Sequence, residues 1–290
     1  MNHTQSSRPS RNRSLAGASA AVATLAAVGM ATFPGSAGAV AAGTVEGGKP
    51  GGVRPTIVLE HGAFADASSW NGVIERLRKS GYPVIATANP LRGPASDAAY
   101  LRSVLDTISG PVVLVGHSYG GTVITNAAVG NEDKVKALVY IAAFIPDQGE
   151  SSLELSNKYP GSTLGNVIEA TSYTLPDGTT GNDLRIKADK FRQQFAADVP
   201  RGQAALMAAT QRPIAAAALE EKATKTAWKT IPAWSLIATQ DLNIPPAAQR
   251  YMSDRAHAHT SEIKASHAVS VSQPDAVSSI IQNAAHATTR

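Results

Sequence analysis

Pro111-Val112-Val113-Leu114-Val115-Gly116-His117-Ser118-Tyr119-Gly120-Gly121-Thr122-Val123-Ile124-Thr125-Asn126 decides the architecture of this chain. The stretch opens as a valine-rich apolar run, the form of a strand buried on both faces. It closes as a helix. Between the two, Gly116 and Gly120 stand two residues either side of Ser118. A tight strand-to-helix turn holds its central residue in a strained conformation with the side chain exposed above a sheet. Glycine at the flanking positions removes Cβ clashes. A bare Gly-x-Ser-x-Gly is weak evidence. The strand before it and the helix after it make Ser118 a candidate nucleophile rather than a structural turn serine.

Outward from this turn, strands and helices alternate. Thr56–Glu60 and Tyr82–Ala86 read as strands before it, and Val135–Ile141 reads as one after it. Helices are predicted over Trp70–Lys79, with Val73, Ile74 and Leu77 on one face, and over Ala98–Ile108. This alternation predicts a mostly parallel α/β sheet of about six strands flanked by helices, with right-handed crossovers. Residues 147–226 hold helical segments and polar loops without a clear strand, and read as a helical cap inserted into the domain. Strands resume at Ala233–Ala238 and Thr260–Lys264, and a last helix runs from Pro274 to about Ala285. The domain is expected over 55–290, after a Gly-rich flexible lead-in at 40–54.

A serine hydroxyl needs a base to take its proton and a third group to orient that base. In this architecture the acid and the histidine follow the serine in chain order, on loops at strand C-termini. Asp241, directly after the Ala233–Ala238 strand, is the candidate acid. Its alternative role is a turn aspartate bonding its own backbone. Asp147, after Val135–Ile141, is a second candidate acid or another turn residue. His267, after the last strand, is the candidate base. His117 reads as a packing or hydrogen-bonding residue, His61 as a brace for the turn it begins, and His257 and His259 as surface groups. Acyl chemistry also needs donors aimed at a developing oxyanion. The backbone N–H groups of Tyr119 and of Ala63, in His61-Gly62-Ala63-Phe64, are the candidates. Phe64, Phe191, Phe195, Leu206, Met207 and Trp228 are candidate pocket residues; for the cap residues among them the alternative is ordinary cap core.

The chain has 290 residues and no cysteine, so disulfides, thiolate nucleophiles and cysteine metal sites are excluded. Its net charge of +4 is set by Arg8, Arg11 and Arg13 in a leading segment without acidic residues. Taking out those three leaves 23 basic residues against 22 acidic, which gives nucleic-acid binding no support. Residues 1–39 read as a secretory signal: arginines, an Ala/Gly-rich apolar stretch from Leu15 to Ala31, then an Ala37-Gly38-Ala39 cleavage site, with Ala39-Val40-Ala41 as a second. The alternative, a membrane anchor, suits so many alanines and glycines poorly. Secretion without a stable membrane anchor is the expectation. No metal cluster or dinucleotide fingerprint occurs, and no cofactor is expected.

The combination of His61-Gly62-Ala63 with Trp70, Gly116–Gly121, Phe144-Ile145-Pro146-Asp147, Asp241 with Ile244-Pro245, and Ser266-His267 resembles the α/β-hydrolases. The resemblance covers roughly residues 55–285. It is to the branch holding plant methyl esterases, hydroxynitrile lyases and bacterial pyrethroid-type esterases, and also to secreted actinobacterial hydrolases. It implies the α/β-hydrolase fold, a Ser118–His267–Asp241 triad and a small-molecule ester substrate. Lyases of this branch carry a threonine where this chain has Gly62 and a lysine where it has Ala268. Hydrolysis is therefore favoured over cyanohydrin cleavage. A binding protein on the same scaffold, or another triad reaction such as perhydrolysis, is the alternative.

Overall fold

The computed structural model describes residues 53–288. The expected signal at 1–39, and the expected lead-in apart from its last two residues, lie outside the described residues. Six strands form one sheet in which every pairing is parallel. They are β1 (Thr56–Glu60), β2 (Val84–Ala86), β3 (Val112–His117), β4 (Val135–Ile141), β8 (Ala233–Ala238) and β9 (His259–Ile263), in the order β2-β1-β3-β4-β8-β9. β2 begins two residues later than expected. Pro83 has no N–H to offer a ladder, and its carbonyl instead caps β1 by accepting the Ile57 N–H at 2.8 Å.

Side chains alternate across this sheet into two cores. Val58, Val112, Leu114, Leu138 and Tyr140 face one way. They meet helices α2 (Pro94–Asp106) and α3 (Tyr119–Ala127) through Leu101, Leu105, Val123 and Ile124. Ile57, Leu59, Val113, Val115 and Val139 face the other way, against Val73 and Leu77 of α1 (Asn71–Lys79) and Val277, Ile281 and Ala284 of α10 (Pro274–Ala287). β3 is buried over its whole length, as its apolar sequence requires. Each fully buried leucine or valine contributes about 1.5–3 kcal/mol. β9 is polar and exposed, which blunts that edge of the sheet.

The excursion between β4 and β8 differs from the helical cap expected. It holds helices α4 (Ser152–Asn157), α5 (Ala188–Phe195), α6 (Arg201–Thr210) and α7 (Ala216–Glu220). It also holds an antiparallel sheet of β5 (Ile168–Thr174), β6 (Thr180–Ile186) and β7 (Ile214–Ala215). The β5–β6 hairpin turns at Pro176-Asp177-Gly178, where Gly178 has φ +85°. Strand β5 is largely exposed and β6 is half-buried, ending on the buried Ile186; neither carries a clean apolar alternation, and the ladder and turn chemistry define them instead. After β8 the chain forms α8 (Pro246–Arg255), started by Pro246 at a position that needs no N–H. A one-turn helix, α9 (Val269–Ser272), precedes α10.

Candidate active site

The strand order reverses between β1 and β3: β2 lies to one side of β1, and β3 and β4 to the other. Such a switch point opens a crevice at the C-terminal ends of the strands. Both the His61–Phe64 loop and Ser118 leave the sheet there. Five described non-glycine residues have positive φ. Four of them, Phe64, Leu91, Ser118 and Ala142, follow the ends of β1 to β4. Backbone strain of about 1–3 kcal/mol at each is held in place by the surrounding structure.

Ser118 has φ 55° and ψ −126°. The turn around it leaves no room for side chains. A Cβ on Gly116 would stand 2.6 Å from the Gly120 carbonyl oxygen, and one on Gly120 would stand 2.5 Å from that of Glu60. Gly62 is as tightly constrained: its Cβ would lie 2.6 Å from the Ser118 Cβ and 2.7 Å from the His117 carbonyl oxygen.

Ser118 Oγ lies 2.8 Å from His267 Nε2, and His267 Nδ1 lies 2.6 Å from Asp241 Oδ2. All three side chains are buried. A carboxylate only accepts, so Nδ1 carries the ring proton of a neutral His267 and Nε2 offers its lone pair to the serine hydroxyl. Asp241 accepts three further hydrogen bonds: from the N–H groups of Asn243 (2.7 Å) and Ile244 (3.0 Å), and from Gln249 Nε2 (2.9 Å). It therefore combines turn bonding with orientation of the histidine. Asp147 lies apart from this chain of bonds, in an ion pair with Lys229.

The remaining histidines next to the site act as braces. Burial pushes His117 down to about 3, so the ring is neutral. Its Nε2–H donates to the His267 carbonyl at 2.9 Å. Burial also takes His61 to about 4. Its Nδ1–H donates to the Gly62 carbonyl (2.8 Å), and its Nε2 accepts the Asn89 N–H (3.1 Å). The N–H groups of Ala63 and Tyr119 take part in no hydrogen bond among the described residues, as the first N–H groups of a helix are free to do at Tyr119. The Tyr119 phenol donates to Asp97 Oδ2 at 2.8 Å, tying the start of α3 to α2. Burial raises the phenol well above its ordinary value.

Four supporting residues escaped the sequence reading: Asn89, Asp97, Asp198 and Gln249. Asp198 accepts the Ser266 N–H (3.2 Å) and the Ser266 hydroxyl. Each acts on a partner distant in sequence or on a loop without a motif, so no local pattern announces it. A cavity of about 50 Å³ touches Ala63, Phe64, Ser118 and Tyr119, with Phe144, Leu164, Leu219 and Ile244 in its walls. Phe64 is one of its lining residues. Phe195 packs edge-on against His267, with ring centroids 4.9 Å apart, and stacks on Phe191. Both are fully buried core residues behind the histidine rather than pocket lining. Trp228 also departs from expectation. Its indole N–H donates to the Pro146 carbonyl and its ring faces Lys229 and Arg255, away from this cavity. Among the described residues, no three His, Asp or Glu side chains converge as a metal site.

The model of the alpha/beta hydrolase family matches residues 57–280. The chain belongs to that family. A carbendazim hydrolyzing esterase of Nocardioides sp. (strain SG-4G) is 34% identical over 113 residues, which cover 35% of this chain and 47% of that protein. A pyrethroid hydrolase of Sphingobium wenxiniae is 26% identical over 258 residues, covering 80% of this chain and 88% of its own. Plant methylesterases and an alpha-hydroxynitrile lyase of Arabidopsis thaliana also match, so the resemblance to this branch holds. The crystal structure of polyneuridine aldehyde esterase superposes with a TM-score of 0.70 at 20% identity, over 79% of this chain and 98% of that one, and shares the fold. At the level of the family, this hydrolase sits among esterases.

Proposed function

We propose that the protein is a cofactor-independent serine hydrolase that cleaves carboxylic esters through an acyl-enzyme. The observation that carries this reading is the continuous hydrogen-bonded chain Ser118–His267–Asp241 at the mouth of a strained turn. In the proposed sequence, Ser118 Oγ attacks the ester carbonyl while His267 Nε2 takes its proton. The Nδ1–H bond to Asp241 holds the ring and stabilises its charged form. The N–H groups of Ala63 and Tyr119 receive the oxyanion. His267 returns the proton to the leaving alcohol, and a water repeats the sequence to free the acid.

Hydrolysis rather than cyanohydrin cleavage is supported at two positions. Gly62 has no space for the threonine of the lyase pattern. Ala268 is buried and uncharged where that pattern has a lysine, so the cation that would hold a cyanide leaving group is missing from its place. Export to the medium is proposed from residues 1–39 alone.

The test is hydrolysis of p-nitrophenyl acetate by the chain starting at Val40, beside Ser118→Ala. The expected result is turnover by the parent, a loss of roughly 10³-fold or more in the variant, and an acetyl group on Ser118 in the quenched enzyme. Equal turnover by both proteins would overturn the reading.

A further inference from the structure

Two cavities meet at Phe64, and of these the smaller touches Ser118. The cavity that holds the nucleophile and both oxyanion donors has a volume of about 50 Å³. A single water takes about 30 Å³ in the liquid, and a benzene-sized cavity is about 150 Å³. The Ser118 cavity therefore admits a group of acetyl or propionyl size and excludes a ring. A second cavity of about 430 Å³ is lined by the Phe64–Gly72 segment, by Leu206 and Met207 of α6, and by Val271 of α9. That is the size of an ordinary small-molecule site. Phe64 belongs to the walls of both. Its backbone sits at φ 60°, fixed by its N–H bond to the Arg212 carbonyl of the cap at 3.0 Å.

Reaction geometry assigns a role to each side. The leaving oxygen must face His267 Nε2 to be protonated, so the alcohol departs on the histidine side of the carbonyl. The small cavity has no wall from the His267 loop or from α9. The large one has Val271, one turn past His267. The acyl group therefore belongs in the small cavity and the alcohol in the large one. The large cavity mixes apolar walls with uncharged polar groups such as Gln203 and Thr210, and Asp66 is its one ionisable residue. Such a lining takes a bulky neutral alcohol and repels an anionic one.

We propose that the substrate class is a short-chain acyl ester of a bulky, uncharged, weakly polar alcohol, and that Phe64 is the specificity-determining partition between the two subsites. The inference rests on Ser118 being the nucleophile, as argued above.

Two isomeric esters test it: naphthylethyl acetate, with a small acyl group and a bulky alcohol, and ethyl naphthylacetate, with the bulk reversed. Both release a primary alcohol, so leaving-group chemistry is matched. The expected kcat/KM for naphthylethyl acetate exceeds that for its isomer by roughly tenfold or more. Phe64→Ala joins the cavities and should bring the ratio towards one. Met207→Trp fills the large cavity and should lower the ratio through a higher KM for naphthylethyl acetate, which provides a second reading should Phe64→Ala fold poorly. A parent ratio of one or below overturns the assignment, as does an unchanged ratio in folded Met207→Trp. Hydrolysis of p-nitrophenyl acetate separates the two levels. If it depends on Ser118 while the isomer ratio is reversed, the subsite inference alone fails. If it survives in Ser118→Ala, the nucleophile reading fails and takes the inference with it.

Discussion

Glu60→Gln should remove the main loss of stability on going from neutral to mildly alkaline pH. Glu60 closes β1 and is fully buried. Burial, with a smaller contribution from Asp97, pushes its carboxyl up from 4.5 to about 8, against the bond to Thr87. The hydroxyl of Thr87 reaches the Leu59 carbonyl at 3.0 Å and also the Glu60 carboxyl. Its donation to the Glu60 carboxyl favours the charged form but does not offset the burial that keeps the proton on. The native state thus keeps a proton that the unfolded chain releases above 4.5, so stability falls as pH rises from 4.5 to about 8. The full span of about 3.5 pH units corresponds to roughly 5 kcal/mol, a large part of the roughly 5–15 kcal/mol available to a folded domain. His61 and His117, lowered from 6.5 to about 4 and about 3, act in the opposite sense. The unfolded chain takes up their protons below 6.5, so their stabilisation is lost as pH falls. Between pH 6.5 and 8 the acid acts alone. Over that window urea unfolding of the parent should show a decline of roughly 2 kcal/mol. Glu60→Gln, whose amide oxygen can accept from Thr87 and which has no proton to lose, should show a flat line. A parent that is flat, or a variant that declines as steeply, would refute the argument.

Gly62→Ala places a Cβ 2.6 Å from that of Ser118. Relief requires a shift of about 1 Å in the nucleophile or the oxyanion loop, and esterase activity should fall by roughly 10²-fold in a protein with unchanged circular dichroism. Full activity would show that the loop yields without cost. Asp241→Asn keeps the shape but presents an amide where four donors converge, which disfavours the Nδ1–H tautomer of His267. A drop in kcat of about 10⁴-fold with little change in KM is expected, and a drop of less than about tenfold would remove Asp241 from the mechanism. The full chain expressed in a secreting host should yield medium protein whose first residue by N-terminal sequencing is Val40 or Ala42. Intracellular protein with residues 1–39 still attached would refute the export proposal.

What was legible in the sequence depended on whether physics acts locally. β3 is announced by its unbroken apolar run because both of its faces are buried. The Ser118 turn is announced by glycines, because each missing Cβ would meet backbone within 2.7 Å. Asp241 and His267 were found by their place after strands, since open parallel sheets gather side chains at strand ends. The β5–β6 hairpin is not legible because β5 is largely exposed and the half-buried β6 carries no clean period-two alternation. For Trp228 the sequence leaves two roles open, lining a cavity or ordinary cap packing, and composition alone cannot separate them. Asp97, Asp198 and Gln249 were invisible for a different reason: their bonds to Tyr119, Ser266 and Asp241 form only in the folded chain and follow no motif spacing.

Those unread residues change the meaning of the cap. The Ala268 N–H donates to the Phe195 carbonyl at 2.9 Å, the Ser266 N–H to Asp198, and the Phe64 N–H to the Arg212 carbonyl. The His267 loop and the His61–Phe64 loop therefore both take hydrogen-bond acceptors from the cap. Within the sheet, the Asp241 and His267 loops are joined by the Gln240 N–H to the Ala265 carbonyl at 3.0 Å. A side chain is held to catalytic tolerance only when its backbone has nowhere else to go. For His267 the restraints come from Asp241 and His117 on the sheet side and from Phe195 and Asp198 on the cap side. The cap segment around 195–212 is thus a supporting wall of the site.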